Sequence, residues 1–185
     1  INTHHCPEAW TQAFPAGKFL DAEVRLVHEP VLLDTGGGLA NVAELLTDED
    51  RDLIVWNGDI LSGVDLAAAV EHHRANGAEA TLVVREQGPV KNVRITDEGD
   101  VTDLRDRLGA TDPTYQYTGI CLVTRAFALG VPKEIESLVE HFLRRIGERK
   151  GSVQGYLDGS KLWHDLGTLA EFEKLRAEFE RPVRG

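Results

Sequence analysis

Methionine is missing from this chain altogether, and cysteine nearly so, with Cys6 and Cys121 alone among 185 residues. Two cysteines cannot staple a chain of this size, so a disulfide scaffold is disfavoured and a reducing, cytoplasmic setting is expected. Cys121 falls in an apolar, strand-like run, where a free cysteine acts as a small hydrophobe. No apolar run nears the roughly 18 residues that a membrane span requires. No signal-peptide pattern is visible. Positive charge is in short supply: 31 acidic side chains face 20 Lys and Arg, for a formal net charge of −11. Sequence-independent nucleic-acid binding depends on clustered cations and is disfavoured. A small anionic substrate is not, because a bound cation can reverse the field of a cleft. The chain opens on Ile1, and residues 1–3 read like the end of a strand. With methionine absent as well, a segment upstream is expected.

What is present is the composition of one packed domain, with 42% apolar and 28% charged residues. Strand and helix patterns alternate. Residues 24–28 read as a strand, and residues 37–46 as a helix with glycines at its start. Residues 53–56 form a continuous apolar run that ends in Asn57, Gly58 and Asp59, as a strand buried on both faces does where it enters a loop. A helix follows, with Asp65 as N-cap and Gly77 as its stop. The next strand, near residues 79–86, completes a β-α-β unit, which implies parallel pairing. Two short strands are expected around a turn at residues 97–100. A longer strand at residues 115–124 holds Thr118 and Gly119 in its interior, where glycine marks a bulge or a close approach. Ile135, Leu138, Val139, Phe142 and Ile146 share one helical face. Residues 152–167 read as a hairpin turning at Asp158 and Gly159, and a last helix runs from Thr168 to about Phe179.

Three places in this pattern can carry chemistry. Gly36, Gly37 and Gly38 precede a helix, where bare backbone N–H groups suit a phosphate or the edge of a nucleobase; a loop that merely needs left-handed backbone is the plainer reading. Asp59 lies just past a buried strand, where open α/β sheets bind ligands and where a carboxylate can hold Mg²⁺. A simple Asx turn would look the same. Asp165 ends another strand-like run just before Thr168, which is itself a candidate cap with Glu171. Asp59 and Asp165 could converge on one metal. The adjacent pair His72 and His73 reads as solvated helix surface.

The ordered motifs "NTHH", "HEPVLLDTGGGLANVAELL", "VWNGDIL" with "HHRANGAEATLVV", "YQYTGICLVT" and "GYLDGSKLWHDLGT" together resemble the nucleotidyl transferase family of sugar-phosphate nucleotidyltransferases. Within it, the chain is most similar to uridylyltransferases acting on N-acetylmuramate 1-phosphate and to mannose- or heptose-1-phosphate guanylyltransferases. The resemblance implies an α/β, Rossmann-like nucleotide-diphospho-sugar transferase fold with a mixed, mostly parallel sheet. It implies that a sugar 1-phosphate attacks the α-phosphorus of an NTP, UTP or GTP, and releases pyrophosphate. By matched motif, Asp59 and Asp165 would be the catalytic Mg²⁺ ligands. Gly36, Gly37 and Asn57 would contact the nucleotide, and Glu29, Asn92, Thr118 and Gly119 the sugar. The family's N-terminal "GxGxR"-like loop and its downstream lysine, which clamp the triphosphate, are not found in residues 1–185. The chain is therefore expected to be a single domain, incomplete at its N-terminus, without the first strand, and poorly active or inactive alone. A non-catalytic sugar-nucleotide-binding module of the same fold is the alternative. A glycosyltransferase, expected to use Asp-x-Asp where this chain has "NGD", is disfavoured.

Overall fold

The computed structural model describes residues 1–180 apart from Pro89, Ala110 and Thr111. The elements follow in the order β1 (Asn2–Thr3), α1 (Pro7–Ala13), β2 (Lys18–Phe19), β3 (Ala22–Glu23), β4 (Val27–His28), α2 (Asp34–Ala43), β5 (Asp52–Trp56), β6 (Ile60–Ser62) and α3 (Leu66–Asn76). Then come β7 (Ala80–Arg85), β8 (Val93–Ile95), β9 (Val101–Leu104), β10 (Gln116–Thr124), α4 (Arg125–Leu129), α5 (Leu138–Glu148), β11 (Val153–Leu157), β12 (Trp163–Asp165) and α6 (Leu169–Phe179).

The central sheet has the order β11-β7-β10-β5. Strand β11 is parallel to β7, and β10 runs antiparallel to both β7 and β5. Three of the four strands thus point the same way, with β10 reversed among them. The β-α-β unit needs a correction. Strands β5 and β7 do run parallel across α3, but they are not neighbours, because β10 sits between them and takes the hydrogen bonds of both. Strand β5 is consequently an edge among the described residues, and Ile54 is 44% exposed rather than buried on both faces.

One face of the sheet packs Leu82, Val84, Cys121 and Val123 against α4 and α5, where Phe127, Leu138 and Phe142 complete the larger core. The other face packs Val83, Ile120 and Leu122 against Ala69 of α3. Burial of aliphatic side chains on both faces is what holds the α/β layers together. Helix α3 begins where its cap predicts: Asp65 accepts a hydrogen bond from Ala68 N at 3.0 Å, and Gly77 closes it at φ 61°.

Other expectations shift. Only Val27 and His28 of residues 24–28 form a strand, paired in parallel with Asn2 and Thr3. Helix α2 starts at Asp34, so the glycines lie inside its first turns. Helix α5 starts at Leu138 behind its Ser137 cap, leaving Ile135 outside the helix and 69% exposed. His73 is 2% exposed, with Nδ1 2.8 Å from Thr81 Oγ1, and His72 rests edge-on against Tyr156. His73 is thus not solvated surface, because α3 turns it toward the sheet, while His72 remains partly exposed. Residues 152–167 do not form a hairpin. Strand β11 joins β7, while β12 leaves the sheet to pair with β6.

Candidate active site

Strand β5 ends at Trp56, and the chain turns at once: Ile60 N donates to Asn57 O at 3.1 Å, and the Trp56 indole donates to Ile60 O at 2.8 Å. This turn sets Asp59 at the mouth of the sheet, just before β6. Strand β12 lies antiparallel on β6 with Asp165 opposite Ile60, and Leu166 N donates to Asp59 O at 2.7 Å. The pairing carries the two carboxylates to the same point. A Cβ added at Gly167 would lie 3.1 Å from Asp165 Oδ1 and 3.3 Å from Asp59 Oδ2, so these oxygens can be no farther apart than those distances together. Both side chains are exposed, and among the described residues neither pairs with a Lys or Arg.

Two open carboxylates without a cationic partner suit a hard cation. Among the described residues no group of three or more His, Cys, Asp or Glu could hold a metal. A pair of carboxylates is the kind of set that could hold Mg²⁺, which takes one or two carboxylates and fills its octahedron with water and substrate phosphate. The cap of α6 is a separate device: Thr168 Oγ1 accepts from Glu171 N at 3.2 Å, while Asp165 Oδ1 accepts from Gly167 N at 3.0 Å.

The bulge in β10 abuts this point. Gly119 has φ 83°, its carbonyl accepts from Asn57 N at 3.0 Å, and a Cβ there would meet Ile60 Cγ1 at 3.0 Å and Asn57 Nδ2 at 3.1 Å. A side chain at position 119 would push the Asn57 turn away, which is why glycine belongs there. Thr118 is fully buried and donates its hydroxyl to Val83 O at 2.8 Å. Asn92 Oδ1 accepts from Tyr117 N at 2.8 Å and pins the strand just before the bulge. Asn57, Asp59, Asn92, Thr118, Gly119 and Asp165 are thereby linked through β5, β10, β6 and β12. Cys121, on the same strand, is no nucleophile: burial pushes its thiol up to about 12.

Glu29, Gly36 and Gly37 belong to a different region. Glu29 is 3% exposed and accepts from Asn2 Nδ2 at 2.6 Å and Leu33 N at 3.2 Å. The glycine N–H groups, expected to be open to a ligand, are taken: Gly36 N and Gly37 N donate to Glu136 O at 2.8 and 3.2 Å. A Cβ at Gly36 would lie 2.7 Å from Glu136 O, and one at Gly37 would collide with Glu134 O. These glycines let α2 press against residues 134–138.

Two residues escaped the sequence reading. Trp163 donates its indole N–H to Thr118 O at 3.0 Å, and the Arg85 guanidinium stands 4.7 Å over its ring. Trp163 was legible as the residue two before Asp165; an arginine at a strand end carries no such signal.

The sequence matches the nucleotidyl transferase family over residues 1–181. It is 31% identical over 192 aligned residues to mannose-1-phosphate guanylyltransferase from Mycobacterium tuberculosis, covering 99% of this chain and 52% of that protein. The chain thus spans about half the length of that curated relative. The fold is similar to HddC from Yersinia pseudotuberculosis complexed with GMP-PN, with a TM-score of 0.77 and 16% identity over 96% of this chain and 76% of that one. It is also similar to UTP-bound UGPase from Acinetobacter baumannii, with a TM-score of 0.68 and 14% identity over 95% of this chain and 68% of that one. The architecture is the nucleotide-diphospho-sugar transferase fold, and the chain belongs to the nucleotidyl transferase family.

Proposed function

We propose that the protein carrying this chain transfers a nucleotidyl group from an NTP, UTP or GTP, to a sugar 1-phosphate, giving a nucleotide-sugar and pyrophosphate. The observation that carries this reading is the meeting of Asp59 and Asp165 over Gly167 in a chain that matches the family from end to end. A relative named for guanylyl transfer to mannose 1-phosphate and similar folds bound to GMP-PN and UTP support the substrate class.

In this reading Asp59 and Asp165 would hold a Mg²⁺ ion, which would supply charge neutralisation to the reacting phosphates. The sugar-phosphate oxygen attacks the α-phosphorus, and pyrophosphate leaves. Such transfer rests on positioning more than on covalent chemistry by the protein. Asn57 faces the nucleotide, and Gly119 keeps the β10 bulge tight against it. Asn92 and Thr118 fix the strand that borders the sugar. Glu29, Gly36 and Gly37 act from the buried side, holding residues 29–35 against residues 134–138. Poor or no turnover is expected of residues 1–185 by themselves.

The test is pyrophosphate release from UTP or GTP with a panel of sugar 1-phosphates, for the 185-residue chain and for the protein as its gene encodes it, with Mg²⁺ and with EDTA. Release by the encoded protein that EDTA abolishes supports the reading. Nucleotide-sugar binding without release with any acceptor sinks it in favour of a binding module.

A further inference from the structure

Arg85 is the last residue of β7, half-buried at the end of the sheet where Asp59 and Asp165 meet. Its charge is unanswered. Arg74, Arg107, Arg144, Arg145 and Arg149 each pair with a carboxylate, whereas among the described residues none lies within ion-pair distance of Arg85. Arg51, Arg94 and Arg105 also lack an ion pair among the described residues, but Arg51 and Arg105 are exposed and Arg94 donates to Asp112 O, whereas Arg85 is half-buried with an aromatic ring as its contact.

The side chain is nonetheless held in place. Its guanidinium carbon stands 4.7 Å over the Trp163 ring, within the range of a cation–π contact. The ring is itself anchored through its indole N–H to Thr118 O at 3.0 Å. A cation–π contact of this kind does not use up the guanidinium's N–H donors, which can still bind a planar or tetrahedral oxyanion. Across the strand pair, Gln116 is the register partner of Arg85, so both side chains leave the same face of the sheet. Gln116 Oε1 is buried with no hydrogen-bond partner.

The geometry of β12 ties this cation to the carboxylates. Trp163 and Asp165 are two residues apart on one strand, so they project from the same face about 7 Å apart. A phosphate gripped by Arg85 over Trp163 can present another oxygen to an ion at Asp165. Arg85 and Trp163 stand beside β10, the strand carrying Thr118 and Gly119, which borders the acceptor in the function proposed above.

We propose that Arg85, held over the Trp163 ring, is a binding residue for the phosphate of the sugar 1-phosphate, and that it selects phosphorylated over free sugar. The proposal rests on the reading of the site as a nucleotidyl transferase acceptor pocket. Its test is nevertheless separate, because it reads binding rather than turnover.

The experiment is calorimetric titration, with Mg²⁺ present, of the protein as its gene encodes it and of Arg85→Ala, Arg85→Lys and Trp163→Phe. The probes are inorganic phosphate, mannose 1-phosphate, glucose 1-phosphate, N-acetylmuramate 1-phosphate, and the corresponding free sugars. Arg85→Ala is expected to weaken binding of at least one sugar 1-phosphate by tenfold or more while leaving GTP or UTP affinity and the thermal midpoint unchanged. Arg85→Lys restores part of the affinity, since it keeps the charge and loses the planar fork. Trp163→Phe keeps an aromatic face and loses less than Arg85→Ala. A response to phosphate and sugar 1-phosphates that is the same in wild type and Arg85→Ala, including no binding by either, overturns the proposal. So does a loss in Arg85→Ala that falls equally on nucleotide, free sugar and thermal midpoint, which would make Arg85 a structural strut for β12. Failure of the enzymatic reading is registered elsewhere, as absence of EDTA-sensitive pyrophosphate release by wild type.

Discussion

Helices α2 and α6 begin in similar letters. One starts Asp34-Thr35-Gly36, and the other is entered through Asp165-Leu166-Gly167-Thr168. Their surroundings make them opposites. At α2 the glycines are buried, their N–H groups are bonded to Glu136 O, and Thr35 Oγ1 accepts from Leu138 N at 2.9 Å. At α6 the glycine is exposed, and the carboxylate before it meets a second carboxylate, neither paired with a Lys or Arg among the described residues. Every polar group named at the first site has a partner inside the protein. The second holds two exposed carboxylates, with a bond from Gly167 N to Asp165 Oδ1, so acceptor capacity remains there, and in the function proposed above that capacity is what holds a ligand.

Substitutions at the two starts can break this contrast. The largest effect is expected for Asp165→Asn. It keeps the volume of the side chain and the Thr168 cap while removing a charge that would hold the metal. Pyrophosphate release at saturating Mg²⁺ should fall by roughly 10²–10³-fold or more, the scale of losing one preorganised electrostatic contact. The thermal midpoint should hardly move. A variant that melts earlier yet turns over normally below its midpoint would reduce Asp165 to a helix-start residue.

Gly37→Ala should behave in the reverse manner. The added methyl group runs into Glu134 O, a backbone atom that cannot swing aside. A stability loss of about 3 kcal/mol is expected in urea titration, at the upper end of the usual cost of overpacking. Nucleotide affinity measured well below the midpoint should change little. A large loss of nucleotide affinity with unchanged stability would return Gly37 to the nucleotide pocket and erase the distinction between the two starts.

A smaller effect belongs to Thr168→Ala, which removes the acceptor for Glu171 N. The expected cost is about 1 kcal/mol of stability, typical of a cap, with activity retained. Comparing it with Asp165→Asn in the same assay separates capping from ion binding within four residues of sequence.

The smallest effect is one of pH and lies away from both starts. Burial lowers the affinity of His73 for a proton; nearby Asp52 opposes this, and Arg74 and His72 add to it. Burial likewise lowers that of His141, helped by Arg144 and opposed by Glu136. The unfolded chain therefore binds protons that the folded chain resists. Stability should rise with pH from below the lowered folded values up to about 6.5, the unperturbed histidine value, and level off above it. His73→Asn should flatten that rise in thermal midpoints taken between about pH 5 and 7. An unaltered pH profile would mean that His73 is protonated as readily in the folded protein as in the unfolded chain.

Local chemistry was legible where it is self-contained. The cap Asp65 and the stop Gly77 bound α3 because each works within one turn of its own helix. The bulge at Gly119 and the turn between β8 and β9 were likewise readable, since both rest on short-range backbone preference. Partners were not. His73 looked solvated because periodicity places a residue on a helix without saying which side the sheet will cover. Residues 152–167 looked like a hairpin because Asp158-Gly159 is a good turn. The structure instead sends β11 to β7 and β12 to β6, since a strand pairs with whichever edge buries its apolar side chains.

The sequence by itself therefore determined the type of the longer elements, though not α1, β2, β3, β6 or α4, together with the position of Asp59 beyond a strand and the match to a family of known chemistry. Only the tertiary structure decided that Asp59 and Asp165 converge, that Gly36 and Gly37 face protein, and that Arg85 stands over Trp163 on the strand that carries Asp165. The reason is physical. Caps, turns and periodicity are fixed by neighbours a few residues away, whereas a site of this kind is assembled by strand pairings between distant segments.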